Sequence, residues 1–142
     1  MSPRSTCEAA QIEAIMRRWY DELWNQGRLE VFDDLVAPDG VLHAQGEELG
    51  REAARQRFIA MRAAFSDFAF EIDYLGVQGN VAVVRWHVRL THIGPWLGEP
   101  PTGRRLVIEG SSWVRVQDGL LREGWDYWDQ QRVIDAAREV CG

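Results

Sequence analysis

Residues 68–92 read FAFEIDYLGVQGNVAVVRWHVRLTH, and through this stretch the apolar period is two. Phe68, Phe70, Ile72 and Tyr74 alternate with Ala69, Glu71 and Asp73, and Gln78-Gly79-Asn80 supplies a hairpin turn. On the next strand Ala82, Val84, Trp86, Val88, Leu90 and His92 share one face, while Arg85, His87, Arg89 and Thr91 share the other. A long antiparallel sheet is predicted to begin here. The segment Gly94 to Gly103 holds three Pro and three Gly, which makes it a loop. Beyond it Arg105 to Val116 and Leu120 to Trp128 read as two further strands joined by Gln117-Asp118-Gly119.

Upstream the period is that of a helix. Ser5 with Glu8 forms a capping box, and Ile12, Ile15, Met16, Trp19, Tyr20 and Leu23 recur at helical spacing up to Gly27. Leu29, Phe32, Leu35 and Val36 predict a short second helix closed by Pro38, after which Asp39-Gly40 turns the chain into a brief strand from Val41 to Ala44. Ala53, Phe58, Met61, Ala64 and Phe65 give the apolar face of a third helix from about Arg51 to Phe65. Asp129 caps a closing helix through Val133, Ile134, Ala137 and Val140. This order predicts one α+β domain over residues 1–142. A cone-shaped, curved antiparallel sheet wraps the N-terminal helices and leaves a pocket at its open end.

Composition narrows the chemistry. All 16 basic residues of the 142 are Arg, which excludes Schiff-base, pyridoxal and phosphate-loop chemistry, each of which needs a Lys. A formal charge of −6 disfavours nucleic acid or an anionic membrane as partner and leaves small molecules or proteins. Cys7 and Cys141 form no Cys-x-x-Cys, and no apolar run has signal-peptide or membrane-spanning character, so a reducing cytoplasm is the expected compartment. No Gly-x-Gly-x-x-Gly run is present, and His87 and His92 lie on opposite strand faces, so neither an organic cofactor nor a metal is expected. Seven Trp are many for this length, and several are expected to line a pocket or an interface. The outer face carrying Arg85, His87 and Arg89 is expected to pair with a second copy in a homodimer.

The reactive candidates that remain are three His and the carboxylates set among aromatics. His92 ends the apolar face of its strand and points toward the mouth of the cone, although a hydrogen-bonded core or loop histidine explains it equally well. His43 ends the short first strand and reaches the same mouth if the register holds. His87, between Arg85 and Arg89, reads as solvated or interfacial. In Gly124-Trp125-Asp126-Tyr127-Trp128-Asp129, alternation puts the two carboxylates on opposite faces. A carboxylate among aromatics is a better proton acceptor at neutral pH, which favours Asp126 as functional, with pairing to an Arg as the alternative. Asp129 is explained by its cap. Arg104 and Arg105 either clamp an anion or form a solvated edge.

Val81 to Trp86, Thr91-His92-Ile93-Gly94 with Pro100 to Arg105, Arg115 to Gly119 and Glu123 to Asp129 together resemble the SnoaL-like polyketide (ester) cyclases. These belong to the nuclear transport factor two and ketosteroid isomerase superfamily. Asn25-x-Gly27, Pro38-Asp39 and Phe65-Ser66-Asp67 extend the likeness over nearly the whole chain. The resemblance implies cofactor-free closure of anthracycline-type rings by intramolecular aldol condensation, often in a homodimer. Aligned on the Asp118-Gly119 turn, it implies Asp126 as the general acid/base and His92 as a pocket histidine that orients substrate or holds the oxyanion. Gly110 and Ser112 stand where those cyclases carry polar Gln and His. Trp86, Trp96, Trp113, Ser112, Trp128 and His43 are the expected substrate contacts, with Trp125 a further candidate. An epoxide hydrolase, a cofactor-independent hydroxylase and a non-catalytic small-molecule binding domain are the alternatives on this fold.

Overall fold

The computed structural model describes residues 3–96 and 98–138, without the side chains of residues 3–7 and of Ala137. Helix α1 (Pro3–Arg18) passes directly into a π-helical segment (Trp19–Asn25), followed by α2 (Leu29–Leu35), β1 (Val36–Ala44), β2 (Glu47–Gly50) and α3 (Arg51–Ala64). The long strands β3 (Phe65–Gln78), β4 (Val81–His92), β5 (Arg105–Gln117) and β6 (Leu120–Trp128) precede α4 (Gln130–Arg138). The expected α+β order is present. Helix α1 starts at Pro3 instead of Ser5, since a proline suits the first turn, where its missing N–H is no loss. The Ser5 and Cys7 side chains, and Val140 and Cys141 altogether, lie outside the described residues.

The six strands form one open sheet in the order β2-β1-β6-β5-β4-β3. The β3-β4-β5-β6 meander is antiparallel, as its turn chemistry requires. Asp118 and Gly119 both have positive φ (57° and 76°), the mark of a two-residue I′ hairpin between Gln117 and Leu120. The sheet is nonetheless mixed, because β1 runs parallel to β6. Strand β1 also starts at Val36, earlier than Val41. Pro38 does not close a helix but falls where the β1–β6 register is interrupted, between Val36 and Val41, a position that asks for no ladder N–H.

Burial along β4 alternates as its sequence does: Ala82, Val84, Trp86, Val88, Leu90 and His92 are all buried. Against this face pack Met16, Tyr20 and Leu23, with Val31, Phe32 and Leu35 of α2 and Phe58 of α3, in one hydrophobic core. The π-helical segment is fixed at its end by Asn25. Its amide accepts from Phe70 N–H (2.7 Å) and donates to Phe70 C=O (3.2 Å), so the side chain stands in for a strand partner. No helix among the described residues is long and apolar enough to cross a membrane.

Asp129 precedes α4, and its carboxylate accepts from the Arg132 N–H at 3.0 Å, the geometry of an N-cap. Asp129→Ala is expected to cost about 1 kcal/mol of stability, the usual worth of a cap. It should leave turnover unchanged. Chemical denaturation alongside a steady-state assay checks both.

Candidate active site

The helices and the inner sheet face leave between them a cavity of about 500 Å³. That is room for a drug-sized molecule. Trp19, Trp24 and Phe58 wall one side of it, and Trp86, Trp96 and Trp128 the other. Trp96, carried by the loop after β4, stacks on Trp128 at 5.7 Å and 16°. The π-helical turn has a consequence here. Its bonds reach five residues back, as in Gln26 N–H to Asp21 C=O (3.0 Å), and this wider turn brings Trp19, Tyr20 and Trp24 all to the cavity.

At the cavity wall Ser112 of β5 and Asp126 of β6 are register partners on the inner face. Ser112 Oγ–H donates to Asp126 Oδ1 at 2.7 Å, and Trp86 Nε1–H donates to Ser112 Oγ at 3.0 Å. Tyr20 stands against the same hydroxyl and close enough to Asp126 to feel its charge. A serine has one O–H and two lone pairs. With the O–H turned to Asp126, a lone pair accepts from Trp86 Nε1–H, which fixes the hydroxyl in one orientation.

Burial pushes the Asp126 carboxyl above the usual carboxylate range; the Ser112 hydrogen bond and the Arg57 charge oppose this without cancelling it. Burial, then the Asp126 charge, raises the Tyr20 phenol far above its ordinary value, so it stays a neutral hydroxyl. The arrangement is a desolvated carboxylate with a single fixed donor, open to an apolar chamber. It can take a proton from carbon and return it to oxygen.

Of the residues expected to form the site, the structure brings together Asp126, Ser112, Trp86, Trp96 and Trp128. Trp113 is not among them. It neighbours inward-facing Ser112 on an alternating strand, so it points outward and is 48% exposed. His43 is likewise on the outer face, stacked on Trp125 (5.2 Å, 12°) and bonded to Glu123 at 2.7 Å. Glu123 is held below the usual carboxylate range chiefly by that bond.

His92 does face inward, yet it does not border the cavity. It is fully buried under the loop, with Nδ1 3.2 Å from Thr102 Oγ1 and its ring 5.3 Å from Phe65. It stands eight positions along β4 from Val84, the partner of Ser112, which at about 3.3 Å per residue is about 26 Å of strand. His87 bridges Glu71 (3.2 Å) and Asp73 (2.9 Å) on the outer face. Arg104 and Arg105 hold backbone, bonding Ala136 C=O (3.0 Å) and Asp67 C=O (2.7 Å). Among the described residues no three His, Cys, Asp or Glu side chains gather into a group able to hold a metal ion.

Sequence reasoning missed Tyr20, Trp19, Trp24 and Arg57 as cavity residues. Tyr20 and Trp19 sit on the helical apolar stripe and read as core, while Trp24 had no assigned place; the available signal was polar and indole tips on a stripe otherwise made of Ile, Met and Leu.

The family model for SnoaL-like polyketide cyclases matches residues 14–136, and the chain belongs to that family. Nogalonic acid methyl ester cyclase of Streptomyces nogalater is 30% identical over 116 residues, covering 78% of this chain and 86% of that one. Aklanonic acid methyl ester cyclase DauD of Streptomyces sp. (strain C5) is 29% identical over 114 residues, covering 76% and 70%. The crystal structure of a SnoaL-like protein of Jannaschia sp. CCS1 shares the fold with a TM-score of 0.87 at 22% identity, over 99% of this chain and 97% of that one.

Proposed function

We propose that the protein closes a ring in a polyketide ester by intramolecular aldol addition, without a cofactor and with Asp126 as the acid/base. One observation carries the reading: the Asp126 carboxyl, raised by burial and bonded to Ser112, opens onto an aromatic cavity. The substrate class is a β-keto ester bearing a second carbonyl within reach; the two related cyclases are named for methyl esters. A methylene between two carbonyls is acidic enough for a carboxylate base. Asp126 takes the C–H proton, the electron pair moves onto the carbonyl oxygen, and the enolate carbon attacks the second carbonyl. The alkoxide so formed takes the proton back from Asp126. Both reacting carbons belong to one molecule, so folding it between the tryptophans supplies much of the rate. His92, buried under the loop, serves here to anchor that loop and the Trp96 it carries.

Incubation with an aklanonic- or nogalonic-type methyl ester tests this. The expected product is an isomer of unchanged mass, formed at a rate that EDTA leaves within about twofold. A product heavier by one oxygen would assign a hydroxylase, and tight binding without turnover a binding domain. The outer face, where Val107, Trp113 and Tyr127 are exposed, is the proposed contact with a second copy. Light scattering at micromolar concentration is expected to give a dimer, and a monomer would remove that contact.

A further inference from the structure

When Asp126 takes a proton it becomes neutral, and the negative charge moves to the substrate's carbonyl oxygen. In the resting site Ser112 turns its one O–H to Asp126 and has none left for the substrate, and Tyr20 is a neutral phenol. Three arginines border the cavity: Arg51, Arg57 and Arg122. Arg51 is committed to Val36 C=O (3.4 Å) and Asp33 C=O (3.2 Å), with its plane over Phe32. Arg122 holds Asp39 through Nη1 (2.9 Å) and lies 3.8 Å from Asp118 through Nη2, and its buried Nε is without a hydrogen-bond partner.

Arg57 differs. It lies on the same face of α3 as Ala54, Phe58 and Met61, all of which border the cavity. Its Nη2 donates to Glu47 Oε2 at 2.8 Å, on the strand that edges the opening. A guanidinium has five N–H donors, and Glu47 takes one. The Arg57 side chain is 36% exposed, at the opening of the cavity, and its charge reaches Asp126 on β6.

We propose that Arg57, steadied by Glu47, receives the negative charge that develops on the substrate's carbonyl oxygen while Asp126 removes the proton. The inference rests on Asp126 being the acid/base. In this step the C–H bond breaks, an O–H bond forms on Asp126 and the electron pair moves onto the carbonyl oxygen. Arg57 contributes hydrogen bonds and keeps all its protons. Charge thus migrates from a carboxylate toward a cation that Glu47 holds at the opening of the cavity. Glu47 is a positioning residue, acting through Arg57.

Binding of 4-nitrophenol to the full-length protein tests this without turnover, because its phenolate resembles an enolate in charge and planarity. In the Asp126→Asn background, which is neutral as Asp126 is after proton transfer, the phenolate is expected to bind more tightly than in the wild type. Adding Arg57→Gln should lower that phenolate affinity about 10- to 100-fold, the scale of a lost hydrogen bond to a charged group. Affinity for the uncharged analogue 4-nitroanisole should stay within about twofold. Arg57→Lys should restore part of the loss, and Glu47→Gln should cause a smaller one. Undiminished phenolate affinity after Arg57→Gln overturns the assignment, as does an equal loss with 4-nitroanisole. Wild-type turnover by Asp126→Asn alone would instead overturn the acid/base reading, a separate result.

Discussion

Asp126→Asn is expected to lower kcat by about 10²–10⁴, the range for a positioned general base, while substrate affinity stays within about threefold. The asparagine keeps the size of the side chain and can still accept the Ser112 O–H that now meets Asp126 at 2.7 Å. What disappears is the basic oxygen. In the wild type the acid limb of the rate profile should lie above the usual carboxylate range, with activity rising with pH as the raised carboxyl ionises. The same shift carries a stability signature of fixed sign. Folding raises this pKa, so the stabilising contribution is complete at pH values below the unfolded carboxylate pKa. It is lost as pH rises through the folded one. Asp126→Asn should therefore melt roughly 2–6 °C above the wild type at pH 7, and the gap should close near pH 3. A stabilised but inactive variant is the combination that a purely structural aspartate would not give.

Gly110→Ala is expected to be the most damaging single methyl group in the sheet. A Cβ at position 110 would stand 2.5 Å from the Trp86 ring and 2.6 Å from the Tyr127 carbonyl oxygen. The second contact is to backbone, which no rotamer change relieves. The Trp86 indole would have to move, and with it the 3.0 Å bond that orients Ser112. Overpacking of this kind costs about 3 kcal/mol, or roughly 10 °C in Tm for a chain of this size. Turnover should fall about tenfold in the folded fraction, because Ser112 would lose the partner that directs its O–H to Asp126. Calorimetry and a steady-state assay read the two effects, and a wild-type Tm would show that the Trp86–Gly110 contact is slack.

Gly110 and Ser112 also explain a departure legible in the sequence. The expected cyclase pattern has larger polar side chains at these positions; here the Trp86 ring lies against Gly110 and its indole N–H donates to Ser112. Strand parity is where sequence reasoning was strongest. It put Trp86 on the apolar face of its strand and Asp126 on the face opposite Asp129, because a half-buried strand cannot shift by one residue without exposing its whole apolar set. The same rule excludes Trp113 and His43, which alternate with inward-facing neighbours; counting tryptophans as pocket residues by type overrode it. His92 has the inward parity yet lies beyond the cavity, since parity says which face a residue takes but not how far the chamber extends along the strand.

Two features were not legible. The parallel β1–β6 pairing joins segments about 80 residues apart, and no local periodicity encodes a partner at that distance. Tyr20 and Trp19 read as helical core because an apolar stripe looks the same whether it meets protein or a chamber. The π-helical turn that brings them and Trp24 to the cavity comes from backbone bonding that composition does not reveal.

The central claim is that Asp126 removes a proton from carbon, and proton exchange measures this without requiring ring closure. A β-keto ester lacking the second carbonyl cannot cyclise, but its methylene hydrogens exchange with D2O when an enolate forms. By NMR, wild-type protein is expected to accelerate that exchange well above buffer, and Asp126→Asn to return it to within about twofold of the buffer rate. Exchange catalysed equally by Asp126→Asn and the wild type would contradict the account.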